Sequence, residues 1–138
     1  VREIKFRVWD KDQQIMFIPA YLDFDKQGKL IDILGDDTTD GFVATERSLN
    51  RCVLMQYTGL KDKRSKNGVE IYEGDILVGE GDNKDPYVIV WEQWNCLFSC
   101  EHYSGDEFFT MYDVKCYRMR VLGNIYQHPQ LLNKETTK

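Results

Sequence analysis

Tyr87-Val88-Ile89-Val90-Trp91-Glu92-Gln93-Trp94-Asn95-Cys96-Leu97-Phe98-Ser99-Cys100-Glu101-His102-Tyr103 is a strongly apolar stretch whose reading decides the fold class. Short apolar runs rich in β-branched and aromatic residues, bounded by turn residues, read as strands. Two are predicted here, Tyr87 to Trp94 and Leu97 to Tyr103, with Asn95 at the join. One face of the first carries Tyr87, Ile89, Trp91 and Gln93. The other carries Val88, Val90, Glu92 and Trp94. A barrel wall buries only its inner face, so an apolar face is left pointing outward, and the sequence leaves open which one. Soluble monomers seldom leave large apolar patches bare. The first half of the chain offers few large residues to cover this one beyond Phe6, Trp9, Phe17, Tyr21 and Phe24. The expectation is therefore a homo-oligomer, with Tyr87, Ile89, Trp91 and Trp94 as the candidate interface.

Period-two alternation extends in both directions from this stretch. Ile4, Phe6 and Val8 alternate with Lys5 and Arg7, Asp10-Lys11-Asp12 turns, and Ile15 to Ile18 returns. A second hairpin follows: Tyr21 to Asp25, a turn at Lys26-Gln27-Gly28-Lys29, then Leu30 to Leu34. Gly28 is the natural site for a positive φ. Residues 35–41 read as a polar loop, Thr45 to Arg51 as one helical turn, and Cys52 to Tyr57 as a strand. A charged loop from Thr58 to Gly68, closed by the turn dipeptide Asn67-Gly68, marks the boundary between residues 1–57 and 58–138. Short strands follow at Val69 to Tyr72 and Ile76 to Val78, with a turn at Glu73-Gly74-Asp75. Val114 to Leu122 alternates as a strand, with Tyr117, Met119 and Val121 on one face. Pro129 opens a short helical turn, and Lys134 to Lys138 is a polar tail. The pattern is a mainly β chain with little helix, built as a small barrel or sandwich.

Composition narrows the function classes. The chain has 138 residues and a net charge of -5, which disfavours a nucleic-acid partner without excluding a local basic patch. Three Trp, eight Tyr and seven Phe supply enough apolar area to fold. No stretch approaches the ~20 apolar residues of a membrane span. The charged, alternating N-terminus is no signal peptide, so a cytoplasm is expected. Four cysteines then default to thiols.

Three stretches carry a resemblance. R-E-I-K-F-R-V-W-D at 2–10 is the first. L-M-Q-Y-T-G-L-K-D at 54–62, continued by N-G-V-E-I-Y-E-G-D-I-L at 67–77, is the second. G-N-I-Y-Q-H-P-Q-L-L at 123–132 is the third. In order and spacing they resemble the YopX-like proteins of bacteriophages and prophages. The resemblance implies an N-terminal β-rich subdomain, a C-terminal SH3-like barrel, and action in a bacterial host cytoplasm. It carries over no catalytic residue. Lys63-Arg64-Ser65-Lys66 lengthens a loop expected to be shorter.

No chemistry is signalled strongly. Asp23-x-Asp25-x-Gln27-Gly28 imitates the start of a calcium loop, but the twelfth position is Leu34 rather than a bidentate Glu. Asp36, Asp37 and Asp40 offer at most adventitious cation binding. Without C-x-x-C, zinc would need Cys100 and His102 on one strand face, completed by Cys52 or Cys116. Nucleophilic catalysis would need His102 or His128 beside a thiol or hydroxyl and a third orienting group. Glycine-rich phosphate loops are absent from the sequence. Asp75, beside Gly74, reads as a turn carboxylate bonding nearby backbone amides, with a functional carboxylate at Glu73 or Asp75 as the alternative. Lys61, Lys63, Arg64 and Lys66, with Tyr57 and Tyr72 nearby, form the candidate nucleic-acid loop. The expectation is a non-catalytic interaction module with no cofactor and no metal, partnered by its own copies or by a phage or host protein. A nucleic-acid-binding accessory protein is the alternative, and a small hydrolase is less favoured.

Overall fold

In the computed structural model, residues 1–35, 43–44, 49–63, 65–80, 85–116 and 118–133 are described. Asp36, Asp37, Asp40, Thr45, Arg64, Tyr117 and the 134–138 tail lie outside them. The chain divides into two units: residues 5–55, and Val1–Ile4 together with Gln56–Lys138. Both are mainly β.

In the 5–55 unit, β1 (Phe6–Asp10) pairs antiparallel with β2 (Ile15–Phe17), Val8 opposite Phe17 and Asp10 opposite Ile15. The turn between them is held by the buried Asp10. Its Oδ1 accepts the amides of Asp12 and Gln13 at 2.9 and 3.2 Å, and its Oδ2 lies 3.5 Å from Arg51 Nε. β3 (Tyr21–Phe24) and β4 (Leu30–Leu34) form the second hairpin, which β5 (Val43–Ala44) joins alongside β4. Asp25 accepts the amides of Gln27 and Lys29, both at 2.9 Å, and Gly28 takes φ 81° in that turn. Val8, Phe17 and Ile33 are buried together, with Leu22, Leu30 and Leu54 packed around them. Leu49–Arg51 forms a single 3₁₀ turn.

β6 (Cys52–Lys61) neighbours β1, runs on into the second unit and pairs there with β7 (Glu70–Tyr72). It is four residues longer than the predicted strand. Gly59, at φ 89°, sits within a register shift between Tyr57 and Lys61, so a bulge carries the strand through the expected break.

A five-stranded antiparallel sheet follows. Its members are β8 (Asp75–Val78), β9 (Tyr87–Glu92), β10 (Leu97–His102), β11 (Phe108–Thr110) and β12 (Arg120–Asn124), in the order β11–β10–β9–β8–β12. Residues opposite one another share a face. Leu77, Tyr87, Ile89 and Cys100 therefore meet on one side, against Ile71, Val114 and Met119. Each fully buried aliphatic side chain there contributes about 2 kcal/mol.

The strand predicted from Val114 is corrected. Met111–Cys116 is a helix, α1, and β12 begins only at Arg120. Thr110 and Asp113 cap it reciprocally. Thr110 Oγ1 accepts the Asp113 amide at 3.2 Å, and Asp113 Oδ2 accepts the Thr110 amide at 3.0 Å. Pro129–Leu132 forms a 3₁₀ turn, as Pro129 predicts. No helix of the described residues is long and apolar enough to cross a membrane.

Candidate functional site

The face carrying Tyr87 and Ile89 runs past the core at its far end. Tyr87 and Ile89 are 4% and 1% exposed, so the core takes them from the expected interface. Trp91 is 49% exposed and Trp94 94%. Trp91 lies directly opposite Phe98, ring centroids 5.1 Å apart and edge-on at 73°. Leu97, opposite Glu92 on the other face, is exposed as well. Phe98 and Leu97 were not among the sequence candidates. Their place depends on the length of the turn, which fixes which residues face each other.

That turn, Gln93 to Cys96, is braced from within. The Glu92 carboxylate accepts the Trp94 amide at 3.0 Å and the Asn95 amide at 2.9 Å. The Cys96 amide donates to Gln93 O at 3.3 Å, with Cys96 at φ 53°. Trp94 therefore projects from a fixed turn rather than a loose loop. An aromatic on a pre-ordered backbone loses little entropy on contact, which is the property of an interface anchor.

At the opposite end of β10, His102 joins two other residues. Ser104 Oγ lies 2.7 Å from His102 Nδ1, and Asp85 Oδ2 lies 3.2 Å from His102 Nε2. The Ser104 amide also donates to Nδ1 at 3.3 Å, which assigns the ring proton to Nε2, facing Asp85. This is the order of a serine–histidine–carboxylate relay. Acyl transfer also needs free donors for an oxyanion. The Gly105 amide is committed to His102 O at 2.8 Å, and the Asp106 amide is directed at Ser104 Oγ at 3.5 Å. Burial, then the hydrogen bond and charge of Glu107, push the Tyr87 phenol up to about 12. These contacts link Asp85, just before β9, to the end of β10 and the turn after it. Cys100 lies on the same face two residues away, fully buried, and burial pushes its thiol up to about 12. Among the described residues no three His, Cys, Asp or Glu side chains are grouped to hold a metal ion.

In the charged loop, Lys61, Lys63 and Lys66 are exposed, while Arg64 lies outside the described residues. Asp62 is 3% exposed. Its carboxylate accepts from Ser65 Oγ at 2.7 Å, from the Ser65 and Val69 amides at 3.2 and 3.1 Å, and from the Val121 amide at 2.9 Å. Burial alone would raise this carboxyl. The hydrogen bonds, led by Val121, outweigh it and hold the group below its ordinary value. Tyr57 and Tyr72 are 3% and 6% exposed and pack on each other at 5.4 Å. They form no stacking platform beside the loop.

The other motif carboxylates bond backbone amides, as read for Asp75 but not for Glu73. Asp75 Oδ2 accepts the Tyr72 amide at 2.8 Å, and Glu73 Oε1 accepts the Gln56 amide at 2.8 Å. In the third motif, Asn124 Oδ1 accepts the Tyr126 and Gln127 amides at 3.1 and 2.8 Å. His128 Nδ1 accepts the Asn124 amide at 3.2 Å.

A family model described as YopX protein matches residues 5–133 of the chain. The crystal structure of protein EF1440 from Enterococcus faecalis is similar, with 31% identity and a TM-score of 0.72, covering 96% of this chain and 100% of that one. No curated protein matches the chain.

Proposed function

The chain belongs to the YopX protein family, and from that premise we propose a phage-encoded, non-catalytic interaction module that acts in the bacterial cytoplasm. Its contact element is the β9–β10 tip, and its partner is a second copy. The observation that carries this reading is Trp94, 94% exposed on a turn braced by Glu92, in the same hairpin as the Trp91–Phe98 pair. The choice of partner rests on charge. A chain of net charge -5 repels its own copy over most approaches. At the tip, Gln93, Asn95 and Cys96 are neutral, and Glu92 is engaged by amides. Two tips meet with the inward-turned Glu92 carboxylates as their like charges, each held on two amides. The five antiparallel strands β8 to β12 support an SH3-like barrel as the framework that presents the tip.

Size sets the strength of the pair. Trp91 and Trp94 together offer roughly 300–400 Å² of exposed surface. Stable interfaces bury about 800 Å² per partner. The pair is therefore concentration-dependent, not obligate. Light scattering across a concentration series tests it, with Trp94→Ala as the comparison. A phage or host protein seated on the same tip, with no self-association, would overturn the choice of partner.

A further inference from the structure

We propose that Lys63, Lys66 and Arg120, with Lys61 at their edge, form a second surface that holds the phosphate backbone of duplex nucleic acid. It is separate from the hairpin tip. The sequence from 61 to 68 holds a single acid, Asp62. Folding turns that acid inward, 3% exposed, with its oxygens filled by four donors. The charges left at the surface among Lys61, Lys63 and Lys66 are all positive. The Val121 amide bond at 2.9 Å ties this loop to β12 one residue from the exposed Arg120. The fold thereby joins cations from two places in the sequence. Lys61 is partly offset, because Glu70 lies opposite it across the strands.

The described residues on either side of position 64 are tied down by backbone hydrogen bonds. The Asp62 amide donates to Val69 O at 2.8 Å, and the Gly68 amide to Ser65 O at 3.0 Å. Gly68 stands at φ 72°, where a Cβ would come within 3.2 Å of Asp62 O. Binding would not have to order these residues.

Duplex is favoured over single strand by the aromatics. Single strands need exposed rings on which bases stack. Tyr57 and Tyr72 are buried against each other, and the Tyr72 hydroxyl donates to Glu70 at 3.1 Å. Phosphate contact alone remains, and it is weak, sequence-independent and salt-dependent. The acidity of the rest of the chain repels a duplex elsewhere and leaves this face as the approach.

Fluorescence anisotropy with a labelled duplex and a labelled single strand tests this. We expect duplex binding at about 20 mM salt that fades toward about 150 mM, with a log–log slope of about -3. The combined variant K63Q/K66Q/R120Q alters only exposed side chains. It should weaken binding at least about tenfold and bring the slope near zero. K26Q/K29Q, on the β3–β4 turn, should change it less than about twofold. Trp94→Ala should leave it unchanged, which separates this surface from the tip. Absence of binding at low salt would overturn the proposal. So would tighter binding of the single strand, equal retention on phosphatidylserine vesicles, or equal loss in the control variant.

Discussion

The Val121 amide donates to the Asp62 carboxylate at 2.9 Å, across 59 positions of sequence. One buried side chain thus fastens a charged loop to the edge strand β12. Removing it would leave three amides and a serine hydroxyl without their acceptor. Asp62→Ala should destabilise the 56–138 unit by about 3 kcal/mol, since each stranded buried group costs about 1–3 kcal/mol. Urea unfolding followed by Trp fluorescence measures it. A midpoint unchanged from the parent would contradict the role.

The same carboxylate has a pH signature. Its folded pKa lies below the ordinary 3.8, so the charged form is the one folding prefers. Its stabilisation is present above 3.8 and is lost as pH falls through the lower folded value. The parent should lose stability steeply below pH 3.8, and Asp62→Asn should flatten that limb. Parallel acid limbs for the two proteins would show that other groups dominate.

Burial separates the cysteines. Cys96 is exposed on the tip, whereas Cys100 is fully buried with its thiol pushed up to about 12. In the native protein an alkylating reagent should modify Cys96 within minutes and leave Cys100 intact until denaturation. Peptide mapping by mass spectrometry distinguishes them. Early modification of Cys100 would place it outside the core.

Gly123 admits no side chain. A Cβ there would stand 2.5 Å from His128 Nδ1 and 3.1 Å from Leu131. Gly123→Ala should expel the imidazole and break its bond to the Asn124 amide, at a cost of about 1–3 kcal/mol. Adding His128→Ala should recover part of that loss. Strict additivity of the two substitutions would rule out the clash.

The strands were legible where alternation and turn chemistry agreed. Asp10, Asp25 and Asn67-Gly68 mark turns that the structure contains, because a short polar side chain or a glycine acts on its own neighbours. Helix α1 was missed because Tyr117, Met119 and Val121 alternate convincingly. Its signal was the spacing Thr110-x-x-Asp113, a cap that competes with the strand reading. The tip was half legible. Sequence gives Trp91 and Trp94 as large and apolar, but only the register shows that the core consumes Tyr87 and Ile89 and brings Phe98 opposite Trp91. Asp62 sits among lysines in a charged loop, where sequence gives no sign of burial. Its burial depends on Val121, a long-range partner that no local pattern announces.

In the proposed assembly the Trp94 tip joins two copies. Light scattering after size exclusion, from about 1 to about 300 µM, tests it most directly, because a tip of this area gives a weak, concentration-dependent pair. The expected mass rises from 16.3 kDa toward twice that value, and Trp94→Ala stays at the single-chain mass throughout. A parent mass that stays at one chain across the whole range would contradict it.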